Sequence, residues 1–375
     1  MNVLHINSNY LTSRLHENLL DKIESEKLHN TVFMPIKAET KNDFLYESKH
    51  DVYSPVTFGN IDKFLFTYKQ NKIYKKLLET VEPQTFDVIH AHTLFTDGNI
   101  ALKLFKEYGL PYVVTVRGYT DIESFFKLRI NLRKKGREIL QKASKIVFLS
   151  ALNREQLLDR YIASDVLKDE IIRKSIILPN GIDDFWFEKE GSPKTLTPQQ
   201  ELRFIQVGKI YKRKNILGSI AGIKAYDQVN TKNSKLTVVG GVEDEGYAKN
   251  IQAETALNMN MIAQTSREEL IHLYREHDIF IMPSFQETFG LVYPEAMSQG
   301  LPVLYSKGQG FDNQFPDGEV GYAVEADDPE DIAEKIGLIV DDYENISKRA
   351  LEKYKKFNWD LLSKEYINIY QELLK

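Results

Sequence analysis

The chain has 375 residues, more than one hydrophobic core ordinarily supports, so two domains are expected. Hydrophobic residues at 42% and charged residues at 27% are ordinary globular usage and exclude a long disordered or low-complexity chain. There is no cysteine, which excludes disulfides, thiolate nucleophiles and cysteine metal sites and fits a reducing compartment.

The opening Met1-Asn2-Val3-Leu4-His5-Ile6-Asn7 lacks the basic segment and long apolar run of a signal peptide and reads as a buried first strand. No stretch approaches the roughly 20 apolar residues needed to span a bilayer. The expected location is cytoplasmic, with any membrane contact peripheral and on the inner face. From there, short β-rich runs alternate with amphipathic stretches, the pattern of parallel strands joined by crossover helices. Strands are expected at 3–6, 31–34, 88–91, 112–116, 145–149 and 175–178, with helices including 73–81 and 101–108. The polar run Gly191-Ser192-Pro193-Lys194-Thr195-Leu196-Thr197-Pro198 has a linker's composition and puts the domain boundary at 195/196. The alternation then restarts, with strands at 202–207, 235–239, 279–282 and 302–305 and helices at 267–277 and 294–299. Residues 359–375 place Leu362, Tyr366, Ile369, Tyr370 and Leu373 at helical spacing. The predicted class is α/β: Rossmann-like, doubly wound domains at 1–195 and 196–358 facing each other across a cleft, and a terminal helix crossing back to the first.

The net charge of −5 divides unevenly, with 29 basic and 26 acidic residues in 1–195 against 20 and 28 in 196–375. The densest chemical signal is Met282-Pro283-Ser284-Phe285-Gln286-Glu287-Thr288-Phe289-Gly290-Leu291-Val292-Tyr293-Pro294-Glu295, with two glutamates eight positions apart. A loop through Phe289-Gly290-Leu291 before a helix starting near Pro294 would present backbone N–H groups to a phosphate. Glu295 in a first turn would also stabilise the helix dipole without any ligand.

This run resembles the donor-binding motif of retaining glycosyltransferase family 4, the group 1 glycosyl transferases of GT-B architecture. The resemblance implies that Glu287 sits by the donor sugar, that Glu295 bonds the ribose hydroxyls, and that the amides of Phe289, Gly290 and Leu291 meet the diphosphate or sugar. The segment Phe204-Ile205-Gln206-Val207-Gly208-Lys209-Ile210-Tyr211-Lys212-Arg213-Lys214 is similar to the strand and basic loop opening the family's second domain. It implies that Lys209, where the family has arginine, and Lys214 neutralise the departing diphosphate. Gly240 falls in the family's nucleotide-base region. In the first domain, Asp87-Val88-Ile89-His90-Ala91-His92-Thr93 resembles the family segment whose second histidine faces the acceptor. His92 is therefore a catalytic candidate beside Glu287 and Lys214. Arg117 stands where many members have histidine and cannot serve as a base. The first loop, Ser8-Asn9-Tyr10-Leu11-Thr12, lacks the family's paired glycines, leaving Asn9 as an acceptor-side candidate with His92 and Arg117.

The resemblance implies a hexosyl- or N-acetylhexosaminyl-transferase acting with retention. Its donor would be a nucleotide sugar, a UDP-sugar by frequency within the family, and its acceptor a glycan or lipid-linked molecule of surface polysaccharide or glycoconjugate synthesis. No Asp-x-Asp occurs and the histidines show no metal-ligand spacing, so neither metal nor cofactor is expected. The basic, apolar-laced stretches 63–76 and 127–137 suit either anionic lipid or solvated helices packed on the sheet. Nucleic acid is not expected of an acidic chain without a binding motif. The rival readings are a sugar-nucleotide epimerase of the same architecture and a catalytically silent sugar-nucleotide-binding or scaffold protein. Donor sugar, acceptor, linkage and oligomeric state are not encoded in any motif.

Overall fold

The computed structural model describes the chain except residues 26, 41–45, 61, 63–64, 198–200 and 255–256 and the side chain at 40. Pro198 of the expected linker and the first two residues of the 63–76 stretch lie outside the described residues. The chain forms two compact units, Met1–Gly181 with Trp359–Lys375, and Ile182–Asn358.

Among the described residues the first unit holds nine strands, β1 (Asn2–Ile6), β2 (His29–Phe33), β3 (Ile36–Lys37), β4 (Asp51–Tyr53), β5 (Val56–Phe58), β6 (Val88–Ala91), β7 (Tyr112–Val116), β8 (Lys145–Phe148) and β9 (Ser175–Ile177). Seven form a parallel sheet in the order β4-β2-β1-β6-β7-β8-β9, and β3 pairs with β5 apart from it. β6 and β7 are buried along their whole length, as a sheet covered on both faces requires. One face packs against Thr96–Tyr108 and Arg133–Lys142 through Leu102, Leu104, Ile139 and Leu140. The other carries the terminal helix Trp359–Glu372, which buries Trp359, Tyr366 and Tyr370 against Val3, Val88 and Val113. Glycine is required at Gly181, because a Cβ there would stand 2.5 Å from the Trp359 ring.

The second unit holds β10 (Arg203–Val207), β11 (Lys235–Val239), β12 (Asn258–Ile262), β13 (Ile279–Met282), β14 (Val303–Ser306) and β15 (Gly321–Val324), parallel in the order β12-β11-β10-β13-β14-β15. That is the doubly wound order in which the chain starts in the middle, builds outward, then reverses between its first and fourth strands. β3, β4, β5, β12 and β15 were not anticipated: β3, β4 and β5 are two or three residues long and β12 reads Asn-Met-Asn-Met-Ile, so none of these four shows a sustained apolar run.

The boundary lies at Gly181/Ile182 rather than 195/196. Linker composition misled because this segment is stapled to the second unit. Gly191 N–H donates to Ser298 O at 2.8 Å, and the Lys194 ammonium donates to the carbonyls of Tyr274, Arg275 and His277, capping the helix Arg267–Glu276.

Candidate functional site

In open doubly wound sheets the crevice beyond the carboxyl ends of the strands, where strand order reverses, is where ligands bind. The reversals here fall between β10 and β13 in the second unit and between β1 and β6 in the first.

At the second unit's reversal, the loop after β10 forms a short turn of 3-10 helix over Lys212–Lys214 that directs Lys214 inward. Asn215 follows in the left-handed region at φ 51°, its side-chain amide donating to Pro283 O at 2.8 Å and tying the turn to the loop after β13. The Lys214 ammonium donates to Glu287 Oε2 at 2.5 Å, both side chains being largely shielded at 16% and 13% exposure. Glu287 is held from behind: its N–H donates to Gln309 Oε1 at 2.8 Å and its carbonyl accepts from Gly310 N–H at 3.1 Å. Gly310 has to be glycine, because a Cβ would meet Thr288 O.

The helix following Glu287 spans Val292–Met297, two residues earlier than expected, with Leu291 as its cap. Gly290 allows this by taking φ 81° with the Tyr293 ring lying where a Cβ would go. Among the described residues, the N–H groups of Phe289, Gly290 and Leu291 have no protein acceptor. The Phe289 ring is core, edge-on to Phe311 and Phe357. Glu295 projects from this helix with no hydrogen-bond donor on its carboxylate among the described residues. Burial, reinforced by Asp183, raises its pKa to about 7.

Two expected donor-side residues stand apart from this pair. Lys209 is largely exposed and pairs with Glu243 at 2.7 Å. Gly240 packs against backbone, a Cβ there falling 2.0 Å from Gly208 O, so its glycine is already required by strand-end packing.

At the first unit's reversal, Asn9 follows β1 and His92 follows β6. His92 is buried at 2% exposure, stacked on His90 at 4.1 Å between ring centres. A hydrogen-bonded chain runs behind it. Asn30 donates from Nδ2 to Glu24 Oε2 at 2.6 Å, so its Oδ1 accepts from His5 Nε2–H at 2.9 Å. His5 Nδ1 is then an acceptor, and His92 Nε2–H donates to it at 3.0 Å. Arg117 donates from Nε to His92 O at 2.8 Å and from a terminal nitrogen to His16 Nε2 at 3.1 Å. Burial lowers His5 to about 4 and holds His16, His90 and His92 well below the ordinary imidazole value, so all four are neutral. Burial also raises Asp121 to about 7 and Asp97 to about 6.

Linear spacing concealed this cluster. His5, His90 and His92 bring ring nitrogens within 4.8 Å of one another, contrary to the expectation of no metal-ligand grouping, and Glu17, Asp21 and His50 form a second such group. Both nitrogens of His5 and of His90 are engaged by protein, His90 bonding Tyr370 and Thr115. His5, His16, Asn30, Gln309 and Gly310 were missed; the one available signal was histidine inside otherwise apolar strand runs.

Sequence profiles match on both units: Glycosyltransferase Family 4 over residues 27–184 and Glycosyl transferases group 1 over residues 187–357. An uncharacterised glycosyltransferase of Methanocaldococcus jannaschii is 23% identical over 95% of this chain and 93% of its own. Among solved structures, sucrose-phosphate synthase of Thermosynechococcus elongatus superposes with a TM-score of 0.76 at 18% identity, covering 100% and 99% of the two chains. HepE of Anabaena, in complex with UDP, does so with 0.74 at 15% identity over 99% and 100%. Two parallel sheets of doubly wound order, an inward Lys–Glu pair at one reversal and profile matches spanning both units agree, and the chain belongs to the group 1 glycosyltransferases of the GT-B fold.

Proposed function

We propose that the chain transfers a hexosyl or N-acetylhexosaminyl group from a UDP-sugar to a glycan or lipid-linked acceptor, with retention and without a metal. The carrying observation is the second unit's reversal: a shielded Lys214–Glu287 pair beside three loop amides and a Glu295 carboxyl that the protein leaves uncommitted. Those groups match a nucleoside diphosphate sugar part by part. Glu295 accepts from the ribose hydroxyls, the Phe289–Leu291 amides bond the sugar or diphosphate, and Glu287 faces the sugar. Lys214 stabilises negative charge developing on the leaving diphosphate, the kind of preorganised stabilisation that accelerates group transfer. Lys209 adds a second cation by leaving Glu243. HepE, of like fold, is solved with UDP and with UDP-glucose, which supports UDP as the nucleotide. In the first unit His92, Arg117 and Asn9 border the acceptor, and the leaving phosphate takes the acceptor's proton.

Thermal-shift titration with UDP, GDP, ADP and their sugars, with and without EDTA, tests this. A shift with UDP that EDTA leaves unchanged is expected. No shift with any nucleotide would sink the transferase reading, and loss of the shift in EDTA would sink its metal-free form.

We further propose peripheral docking on an anionic membrane. No helix among the described residues is long and apolar enough to cross a bilayer. The two basic stretches meet in space, however, Leu65 and Tyr68 lining one surface depression with Asn131 and Leu132. Nearby Leu128 and Ile130 are 73% and 67% exposed, interleaved with Lys127, Arg129 and Arg133. Exposed apolar side chains among cations suit an anionic lipid surface. Sedimentation with phosphatidylglycerol vesicles should pull down the protein, and with phosphatidylcholine vesicles should not.

A further inference from the structure

The helix Leu15–Ile23 carries Glu17 and Asp21 four residues apart, so both project from one face. The segment leading into β4 is tied to that helix and the turn before it. Tyr46 Oη donates to Tyr10 O at 2.8 Å, Lys49 N–H donates to Glu17 Oε1 at 3.3 Å, and His50 Nε2–H donates to Asp21 Oδ1 at 2.8 Å. One oxygen of each carboxylate and one ring nitrogen of His50 fall within 4.8 Å of one another.

Two acids beside a histidine are by themselves an ordinary surface group, and Lys49 already pairs with Asp21 at 3.0 Å. Glu17 sets this group apart. It is only 7% exposed, and its Oε2 is fully shielded with no hydrogen-bond partner among the described residues. The Tyr46 hydroxyl lies near this carboxylate, but its single hydrogen is given to Tyr10 O and cannot also serve Oε2. A buried carboxylate oxygen left in this way carries a desolvation cost that a bound cation would offset. Lys49 does not fill that role, because its side chain is largely exposed and such pairs contribute little.

Two carboxylates and an imidazole suit zinc or a neighbouring first-row ion better than calcium or magnesium, which favour all-oxygen shells. Bonds of about 2.0–2.1 Å to a tetrahedral ion set its donors roughly 3.3 Å apart. That spacing falls between the 2.8 Å His50–Asp21 contact and the 4.8 Å span of the group. An ion on His50 Nε2 requires the ring hydrogen on Nδ1, where Glu24 Oε2 stands 3.8 Å away. An outer carboxylate placed in this way orients a metal-bound imidazole. His50 also lines a depression of about 510 Å3 with Tyr46 and Ser48, and Asp21 is partly exposed, which gives a path of entry and room for a water as fourth ligand.

We propose that Glu17, Asp21 and His50 bind one divalent transition-metal ion of the zinc class, which fastens the segment leading into β4 onto the helix Leu15–Ile23. The ion is structural, holds no part of the donor and stands apart from the transferase reading. The group His5, His90 and His92 is the poorer site, since both nitrogens of His5 and of His90 are engaged by protein.

The test uses the full, untagged chain stripped of metal with a chelator and dialysed. Calorimetry and thermal melts follow Zn2+, with Mg2+ and Ca2+ as controls. Binding of one Zn2+ per chain is expected, with a Tm that rises with free Zn2+ and does not rise comparably with Mg2+ or Ca2+. Glu17→Gln and His50→Ala should each weaken Zn2+ binding at least about tenfold, the loss that removing even an outer partner of a metal site brings. Circular dichroism of the stripped variants checks that they fold, and Asp21→Asn takes the place of either one that does not. His92→Ala should bind Zn2+ as the unaltered chain does. Zn2+ binding that survives any of the ligand substitutions, or that His92→Ala removes, overturns the proposal. So does an unaltered chain that binds no Zn2+, or that binds Mg2+ or Ca2+ more tightly.

Discussion

The two sheets reverse strand order in the same way, yet the sites at the two reversals are built oppositely. In the second unit the polar groups lie within 82 residues of chain, from Lys214 to Glu295, and several are left unsatisfied by protein among the described residues. In the first, the buried histidines draw their partners from remote segments, His5 reaching His92 across 87 residues and His90 reaching Tyr370 across 280. Uncommitted donors and acceptors mark a surface waiting for a ligand. A closed network marks a scaffold that orients the few groups facing outward.

The largest effect that would test this contrast is on turnover. Glu287→Gln and Lys214→Ala should each lower the transfer rate about a hundredfold or more. The double variant should lose little beyond either single one, since the pair acts as a unit. Steady-state kinetics with the nucleotide identified by thermal shift would check this, and additive losses would break the view of a joined pair.

Acid should act on the two reversals in opposite senses. The four depressed histidines of the first unit take up protons on unfolding below pH 6.5, so they cost stability as pH falls from 6.5 toward 4. Asp97 and Asp121 oppose this, being raised, but are outnumbered. Glu295 is also raised, so its contribution is greatest below about pH 4.5 and is lost as pH rises toward 7. Glu295→Gln should therefore stabilise the chain at pH 8 by up to about 3 kcal/mol and leave it unchanged at pH 4. Calorimetric melts at several pH values would show it, and the same variant should weaken UDP binding.

A smaller effect is expected at Gly240, where alanine would collide with Gly208 O. A loss of about 1–3 kcal/mol should follow, lowering Tm by roughly 2–4 °C per kcal/mol, with UDP affinity preserved in the folded fraction. Selective loss of UDP affinity with normal Tm would instead make Gly240 a ligand contact. Smallest should be Lys209→Ala, which removes an exposed pair worth at most about 1 kcal/mol. Its Tm should hold, and any fall in transfer rate would show that Lys209 leaves Glu243 to reach the donor.

Legibility followed locality. The Glu287–Glu295 run could be read because a strand end, a glycine turn and the next helix compress it into one stretch, and the same holds for Lys214 in the turn after β10. The helix start was misplaced by two residues because Gly290 at φ 81° turns the chain before Pro294 is reached. β12 was missed because an edge strand alternating asparagine with methionine has no apolar run, and the linker because Lys194 finds its carbonyl partners about eighty residues away.

The sequence by itself determined what depends on neighbours along the chain: the alternation of buried strands with amphipathic helices, the existence of two doubly wound units, and the clustering of Glu287 and Glu295 in one strand-end run. Tertiary structure alone decided which distant polar groups meet. It joined His5 to Asn30 and His92 and stacked His90 on His92, left the Glu295 carboxylate without a hydrogen-bond donor among the described residues, and sent Lys209 to Glu243. The physical reason is that burial and hydrogen-bond satisfaction are properties of what surrounds a side chain in space, and no local pattern records which remote segment will supply the missing partner.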